Sequence, residues 1–222
     1  MAKRKLQRFA ENENFPNVIQ PRLPYPPVGF HLKGKWNADF FGNNNPIVLE
    51  LGCGRGEYTV ALAKKYPEKN FLGIDIKGAR LWRGAKTAVE ENMHNVGFLR
   101  IMIDQIFYYF GENEVSEIWI TFPDPQPQIS REKKRLTSPN FIEKYLRFLK
   151  PGSIIHLKTD NTGLFEYTTE VVKELKYRMN VCTADLYNSG IKDEILEVKT
   201  TYEKIFMAKG EKIKYLNFTI GD

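Results

Sequence analysis

From Pro46 onward, short apolar runs alternate with stretches whose apolar residues recur every three or four positions. Ile47–Leu51 is apolar apart from Glu50 and runs into glycines, as a strand buried on both faces does. Glu57–Lys65 reads as a helix with Tyr58, Ala61 and Leu62 on one face. Runs 71–76, 96–103, 115–122 and 153–158 predict further strands. Helices are predicted at 77–92, briefly near 105–111, and at 139–149 and 164–176. Segments 181–186 and 212–220 are expected to close the sheet. This order predicts an α/β fold, a mostly parallel seven-stranded sheet with helices on both faces, over residues 46–222. The stretch 187–210 reads as too polar for core and is expected to be a functional insertion.

Segment 1–45 differs. It has five prolines and no clear periodicity, and predicts a basic, irregular arm, mobile up to about residue 20. Its seven basic residues (Lys3, Arg4, Lys5, Arg8, Arg22, Lys33, Lys35) face three acidic ones, a local charge of +4. Either a solvated tail or an RNA-contacting arm fits. The whole chain of 222 residues carries +6, which favours a polyanionic partner. At 42% hydrophobic and 27% charged residues, the composition excludes wholesale disorder and fibrous architecture. No run approaches the ~18 apolar residues of a membrane span. The basic start, Met1 to Phe9, lacks the apolar core of a secretory signal. Two cysteines, Cys53 and Cys182, build no disulfide framework, so a reducing cytoplasm is expected. His31, His94 and His156 have no ligand spacing and there is no C-x-x-C, so no metal is implied.

Chemistry concentrates where strands end. Glu50-Leu-Gly52-Cys-Gly54-Arg-Gly56 lies between a predicted strand and a predicted helix. Glycines permit a sharp turn and close approach of a ligand to the backbone. The spacing is tighter than the dinucleotide G-x-G-x-x-G and resembles the S-adenosylmethionine loop of class I methyltransferases. Cys53 reads as a small filler. Asp75 ends the second of these strands, where a carboxylate grips a ribose diol; Asp104, after the third, is placed to accept from an adenine amino group. Taken singly, each would also serve as a helix N-cap. The fourth strand ends Thr121-Phe122-Pro123-Asp124-Pro125 and the fifth Lys158-Thr159-Asp160-Asn161. Asp124 and Asp160 are thus candidates for a catalytic or base-reading pair. Arg131, Lys133, Lys134 and Arg135 follow directly and, against Glu132, give segment 126–136 a charge of +3. At an active-site edge such a run is expected to hold phosphates. Lys77, Arg80, Arg83 and Lys86 recur at helical spacing, as a basic stripe on the same rim or a solvated face.

Together these blocks resemble the bacterial tRNA (guanine-N7)-methyltransferases. The family pattern runs E-x-G-x-G-x-G, F-x-D-P-W-P-K-x-R-H-x-K-R-R-L-T, K-T-D-N and T-x-Y-E-x-x-F-x-x-x-G. This chain matches at 50–56, 122–137, 158–161 and 200–210. The resemblance implies a Rossmann-like class I methyltransferase that uses S-adenosylmethionine to methylate N7 of the variable-loop guanine at tRNA position 46. It assigns Glu50, Gly52, Gly54, Gly56, Asp75, Asp104 and Asp124 to the cofactor. Gln128, Asp160, Thr200 and Glu203 fall to the guanine or its nucleotide, and Arg131, Lys133, Lys134 and Arg135 to the RNA backbone. Asp124 and Asp160 would be catalytic. Three departures stand out: the family Trp and Lys are Gln126 and Gln128, the family His is Arg131, and Met102 occupies the place of the third-strand carboxylate. The rival readings are a methyltransferase of another RNA or a small molecule, and a weakly active or non-catalytic RNA-binding relative. A nucleotide-dependent oxidoreductase fits the glycine spacing poorly. A monomer and a homodimer are both compatible with the sequence.

Overall fold

The computed structural model describes residues 2–21 and 29–221. Arg22 of the basic arm lies outside them. Among the described residues eight strands form one sheet: β1 (Val18–Ile19), β2 (Ile47–Leu51), β3 (Asn70–Ile74), β4 (Val96–Leu99), β5 (Val115–Thr121), β6 (Leu149–Thr159), β7 (Arg178–Thr183) and β8 (Lys214–Ile220). Their spatial order is β1-β4-β3-β2-β5-β6-β8-β7. The first six run parallel, and β8 inserts antiparallel between β6 and β7. All five residues of β2 and of β3 are buried, because helices cover both faces. Those helices are α2 (Glu57–Lys65), α3 (Gly78–Glu90), α4 (Pro139–Leu146) and α5 (Thr162–Glu174). The chain leaves β2 toward β3 and β4, then returns to lay β5 against the other side of β2. This reversal opens a crevice at the carboxyl ends of β2 and β5, where doubly wound folds bind ligands.

Two expectations need correction. The sheet has eight strands, not seven, because the segment expected to be irregular supplies β1, paired Val18↔Phe98 and Ile19↔Leu99. A two-residue strand carries no readable period. The same segment contains helix α1 (Ala2–Asn14), which packs on α3. Its attachment is largely polar. Trp82 Nε1 donates to Glu11 at 2.6 Å, Asn12 donates to the Gly78 carbonyl, and Arg8 stacks 4.7 Å from the Trp82 ring. An apolar period was therefore never needed there. Trp36, fully buried in a π-helical turn (Trp36–Phe41), stacks on Phe110 and donates to the Tyr109 carbonyl.

The second correction concerns 187–210. Ile195 and Leu196 are buried in this stretch, and with Leu186 they join the apolar cluster of Tyr58, Trp119 and Tyr215 over the sheet. Helix α6 (Thr201–Ala208) follows. This segment is part of the core as well as a wall of the crevice.

Candidate active site

The glycine loop is shaped by the sheet end. Gly52, Gly54 and Gly56 all have left-handed backbone, with φ of 74°, 56° and 69°. The Gly52 and Cys53 amides donate to the Ile74 carbonyl, and Gly54 donates to Asp75 at 3.0 Å. Asp75 also accepts from the Lys77 amide at 2.8 Å. Its carboxylate is thereby fixed at the tip of β3. A Cβ on Gly52 would meet nothing within 4 Å and one on Gly54 only the Gly52 carbonyl, so the loop faces open space. Burial pushes the Cys53 thiol well up, in keeping with a filler rather than a nucleophile.

Glu50 is buried and accepts from two hydroxyls, Thr121 at 2.6 Å and Thr59. Burial raises its carboxyl to about 7; the threonine hydrogen bonds oppose this and the charge of Asp75 adds to it. Between the unfolded value of 4.5 and about 7 the folded chain keeps a proton that the unfolded chain releases. Stability from this group is full below 4.5 and is lost as pH rises to about 7. Against Glu50→Gln, the wild type should lose on the order of 3 kcal/mol of unfolding free energy over that window. Urea unfolding of both proteins at several pH values measures this; parallel pH profiles would refute it.

A cavity of about 440 Å³ joins these groups. It is lined by Glu50, the loop from Gly52 to Arg55, Asp75 and Arg80, and by Asp124, Asp160, Thr200, Tyr202 and Phe206. Asp124 sits in a rigid turn between Pro123 and Pro125, its Oδ1 accepting from the Gln126 amide at 3.1 Å. Phe122 and Gln126 flank it with φ of 48° and 45°, positions L-residues seldom adopt. The Phe122 ring stacks on Phe206, 6.0 Å away, joining the turn to α6. Asp160 follows β6, half-buried, and burial raises its carboxyl. Asn161 caps α5, and Thr200 caps α6 by accepting from the Glu203 amide.

Not every expected residue reaches this cavity. Asp104 lines an adjoining hollow of about 450 Å³ with Met102 and Lys134, and pairs with Lys144 at 3.2 Å. That hollow shares Gly52, Asp75, Arg80 and Asp124 with the main cavity. Gly56 lies beneath the loop, against Phe98 and Gly84, rather than on the cavity wall. Gln128 precedes the 3-10 turn Ile129–Lys134 and lines neither space. Glu203 is wholly buried behind the wall, paired with Lys158 at 2.9 Å. Arg131, Lys133 and Lys134 are exposed, whereas Arg135 stacks 4.2 Å from the Tyr167 ring and donates to the Gln126 carbonyl. Of the α3 stripe, Arg80 lines the cavity, while Lys86 lies over Trp82 and near Glu90. Tyr58, Tyr202 and Phe206 were not anticipated as wall residues, since aromatic positions in an apolar pattern read equally as core, and neither was Glu57, which reads as an ordinary first-turn helix carboxylate. Among the described residues no cluster of three or more His, Cys, Asp or Glu suits a metal ion.

A doubly wound sheet whose crevice joins a glycine loop to strand-tip carboxylates is that of a class I methyltransferase. Solved structures share the fold: the 16S rRNA methyltransferase KamB superposes with a TM-score of 0.65 at 13% identity, over 93% of this chain and 99% of that one. An antibiotic-related methyltransferase gives 0.62 at 16% identity, over 83% and 92%. A family model described as "Putative methyltransferase" matches residues 44–216. The tRNA (guanine-N(7)-)-methyltransferase of Christiangramia forsetii is 51% identical over 99% of both chains. Those of Bacteroides thetaiotaomicron (48%, 99% of this chain and 87% of that one) and Clostridium novyi (42%, 83% and 85%) are also similar. The chain belongs to the tRNA (guanine-N(7)-)-methyltransferase family.

Proposed function

We propose that this protein methylates N7 of the variable-loop guanine, position 46, of tRNA with S-adenosylmethionine as donor. The observation that carries the reading is a single cavity lined by Glu50, Asp75, Asp124 and Asp160. The residues fit the cofactor: the loop leaves Cβ-sized space free, and Asp75 is pinned by two amides with lone pairs left for a diol. When bound, the cofactor supplies an electrophilic methyl group on a sulfonium.

N7 of guanine already carries a lone pair, so no base is needed to create the nucleophile. Accepting that methyl group at N7 would leave the purine cationic. Asp124 and Asp160 orient the base and offset that charge; the rigid proline turn keeps Asp124 from relaxing away. Alignment carries most of the rate, an effect that reaches about 7–11 kcal/mol in well-oriented systems. Asp75 and Glu50 would hold the cofactor, and Asp104, in the adjoining hollow, would be a partner for its adenine amino group. Exposed Arg131, Lys133 and Lys134 hold backbone phosphates, and Thr200 contacts the nucleotide. Extruding the base costs a few kcal/mol, which those contacts supply. No helix among the described residues is long and apolar enough to cross a membrane. The reaction belongs in the cytoplasm, with its tRNA.

Incubation with methyl-labelled S-adenosylmethionine and unmodified tRNA, followed by nucleoside analysis, tests this. Label in N7-methylguanosine at position 46 is expected, and retention on tRNA should weaken steeply as salt rises. Cofactor binding without N7-methylguanosine would overturn the reading.

A further inference from the structure

Segment 186–208 covers the crevice, and its anchorage is polar and buried. Lys158, fully buried on β6, donates from Nζ to Glu203 at 2.9 Å and to the carbonyls of Leu196 at 2.8 Å and Val198 at 3.2 Å. Three acceptors satisfy its three protons. Tyr187 donates its hydroxyl to the same Glu203 oxygen. The other oxygen, Oε2, is buried with no hydrogen-bond partner among the described residues. At the start of α6, Glu57 accepts from both the amide and the hydroxyl of Thr201, at 2.7 and 2.6 Å. Tyr58 donates to the Ile195 carbonyl at 3.0 Å.

We propose, resting on the N7-methyltransferase reading, that Lys158 and Glu203 are a positioning pair that clamps the cover segment onto β6, and that Glu203 does not touch the guanine. The clamp ties the end of β6 to α6. Lys158 lies two residues before Asp160, and Glu203 three after Thr200, so fixing one to the other sets the gap between Asp160 and Thr200, Tyr202 and Phe206. Glu57, directly after the glycine loop, holds the same helix from the cofactor side. Burial pulls the Lys158 ammonium below its usual range while Glu203 opposes that shift. Each charge is therefore stranded without the other. Loss of either partner lets the wall move, and a displacement of about 1 Å suffices for roughly a 10²-fold loss of rate.

Residues that act as one unit give non-additive losses. Lys158→Met and Glu203→Met should each lower kcat about 10²-fold, leave cofactor affinity within about threefold, and speed amide exchange across 195–206. The double variant should lose no more than either single. If Glu203 instead accepts from the base, its loss multiplies that of Lys158→Met, and the pair model falls. Tyr187→Phe, which keeps both charges, gives a second reading if the double variant does not fold: a several-fold lower kcat with faster exchange at 195–206 is expected, and wild-type values for both would overturn the clamp. Wild-type protein in the same assay separates the two ideas. If it makes no N7-methylguanosine, the proposed activity fails, while the exchange measurements still decide the clamp.

Discussion

Asp160→Ala is expected to lower kcat for N7 methylation by about 10²–10³-fold, the range seen when one preorganised electrostatic contact to a developing charge is removed. The reason lies in how Asp160 is held. Lys214 Nζ donates to its main-chain carbonyl at 2.8 Å, not to its carboxylate. Its carboxylate forms no ion pair among the described residues and lines the cavity half-buried, raised by that burial, which the Lys214 and Lys209 charges oppose. Such a group is available to a purine that turns cationic. Because Glu50 and Asp75, not Asp160, are the groups proposed to hold the cofactor, the affinity for S-adenosylmethionine should change by no more than about threefold, as isothermal titration would report. The same placement gives a pH dependence. As pH falls through the raised Asp160 value, the carboxylate is lost and the rate should decline; Asp160→Asn should remove that limb of the profile. An equal loss of cofactor binding in a folded Asp160→Ala variant would contradict the role.

Gly56→Ala should be among the most destabilising single-methyl additions in the chain. A Cβ there would lie 2.5 Å from Cε1 and 2.8 Å from Cζ of the Phe98 ring, and 3.2 Å from the Gly84 Cα. Phe98 is wholly buried on β4 and has no room to swing aside. Overpacking of this kind costs about 1–3 kcal/mol. The left-handed backbone, φ 69°, adds about 1–2 kcal/mol for a residue with a Cβ. For a chain of this length each kcal/mol lowers Tm by about 2–4 °C, so a drop on the order of 10 °C is expected by calorimetry. Gly52→Ala is the control. It shares the backbone strain, with φ 74°, but its Cβ would meet nothing within 4 Å. It should therefore cost less stability and act mainly on cofactor affinity. Equal Tm losses in the two variants would show that the Phe98 contact is relieved elsewhere.

Features set by neighbours in the chain were legible. The run Ile47–Leu51, apolar but for Glu50, becomes β2 at its expected bounds, and Glu57–Lys65 becomes α2, because burial on both faces and a 3.6-residue period leave local traces. The glycine spacing and the strand-tip carboxylates Glu50, Asp75, Asp124 and Asp160 were readable for the same reason. A parallel sheet brings strand tips to one edge whatever lies between them. Helix α1, bound to α3 by Glu11–Trp82 and Asn12–Gly78 contacts, left no apolar period to read. Asp104 was legible as a carboxylate after β4, but its distance from the main cavity and its pairing with Lys144 were not.

The sequence by itself determined the order of strands and helices, the turn at the cofactor loop and the chemistry available at the strand tips. These depend on periods, glycines and charges within a few residues of each other. Only the tertiary structure decided which polar groups face the cavity and which stand behind it. Thr201 meets Glu57 across 144 positions, and Lys158 meets the Leu196 carbonyl across 38. No local pattern records such partners, and a buried charge takes its role from the partner it meets. Glu203 could therefore be read from the chain as a ligand for guanine, and only the fold shows it buried against Lys158, behind the cavity wall.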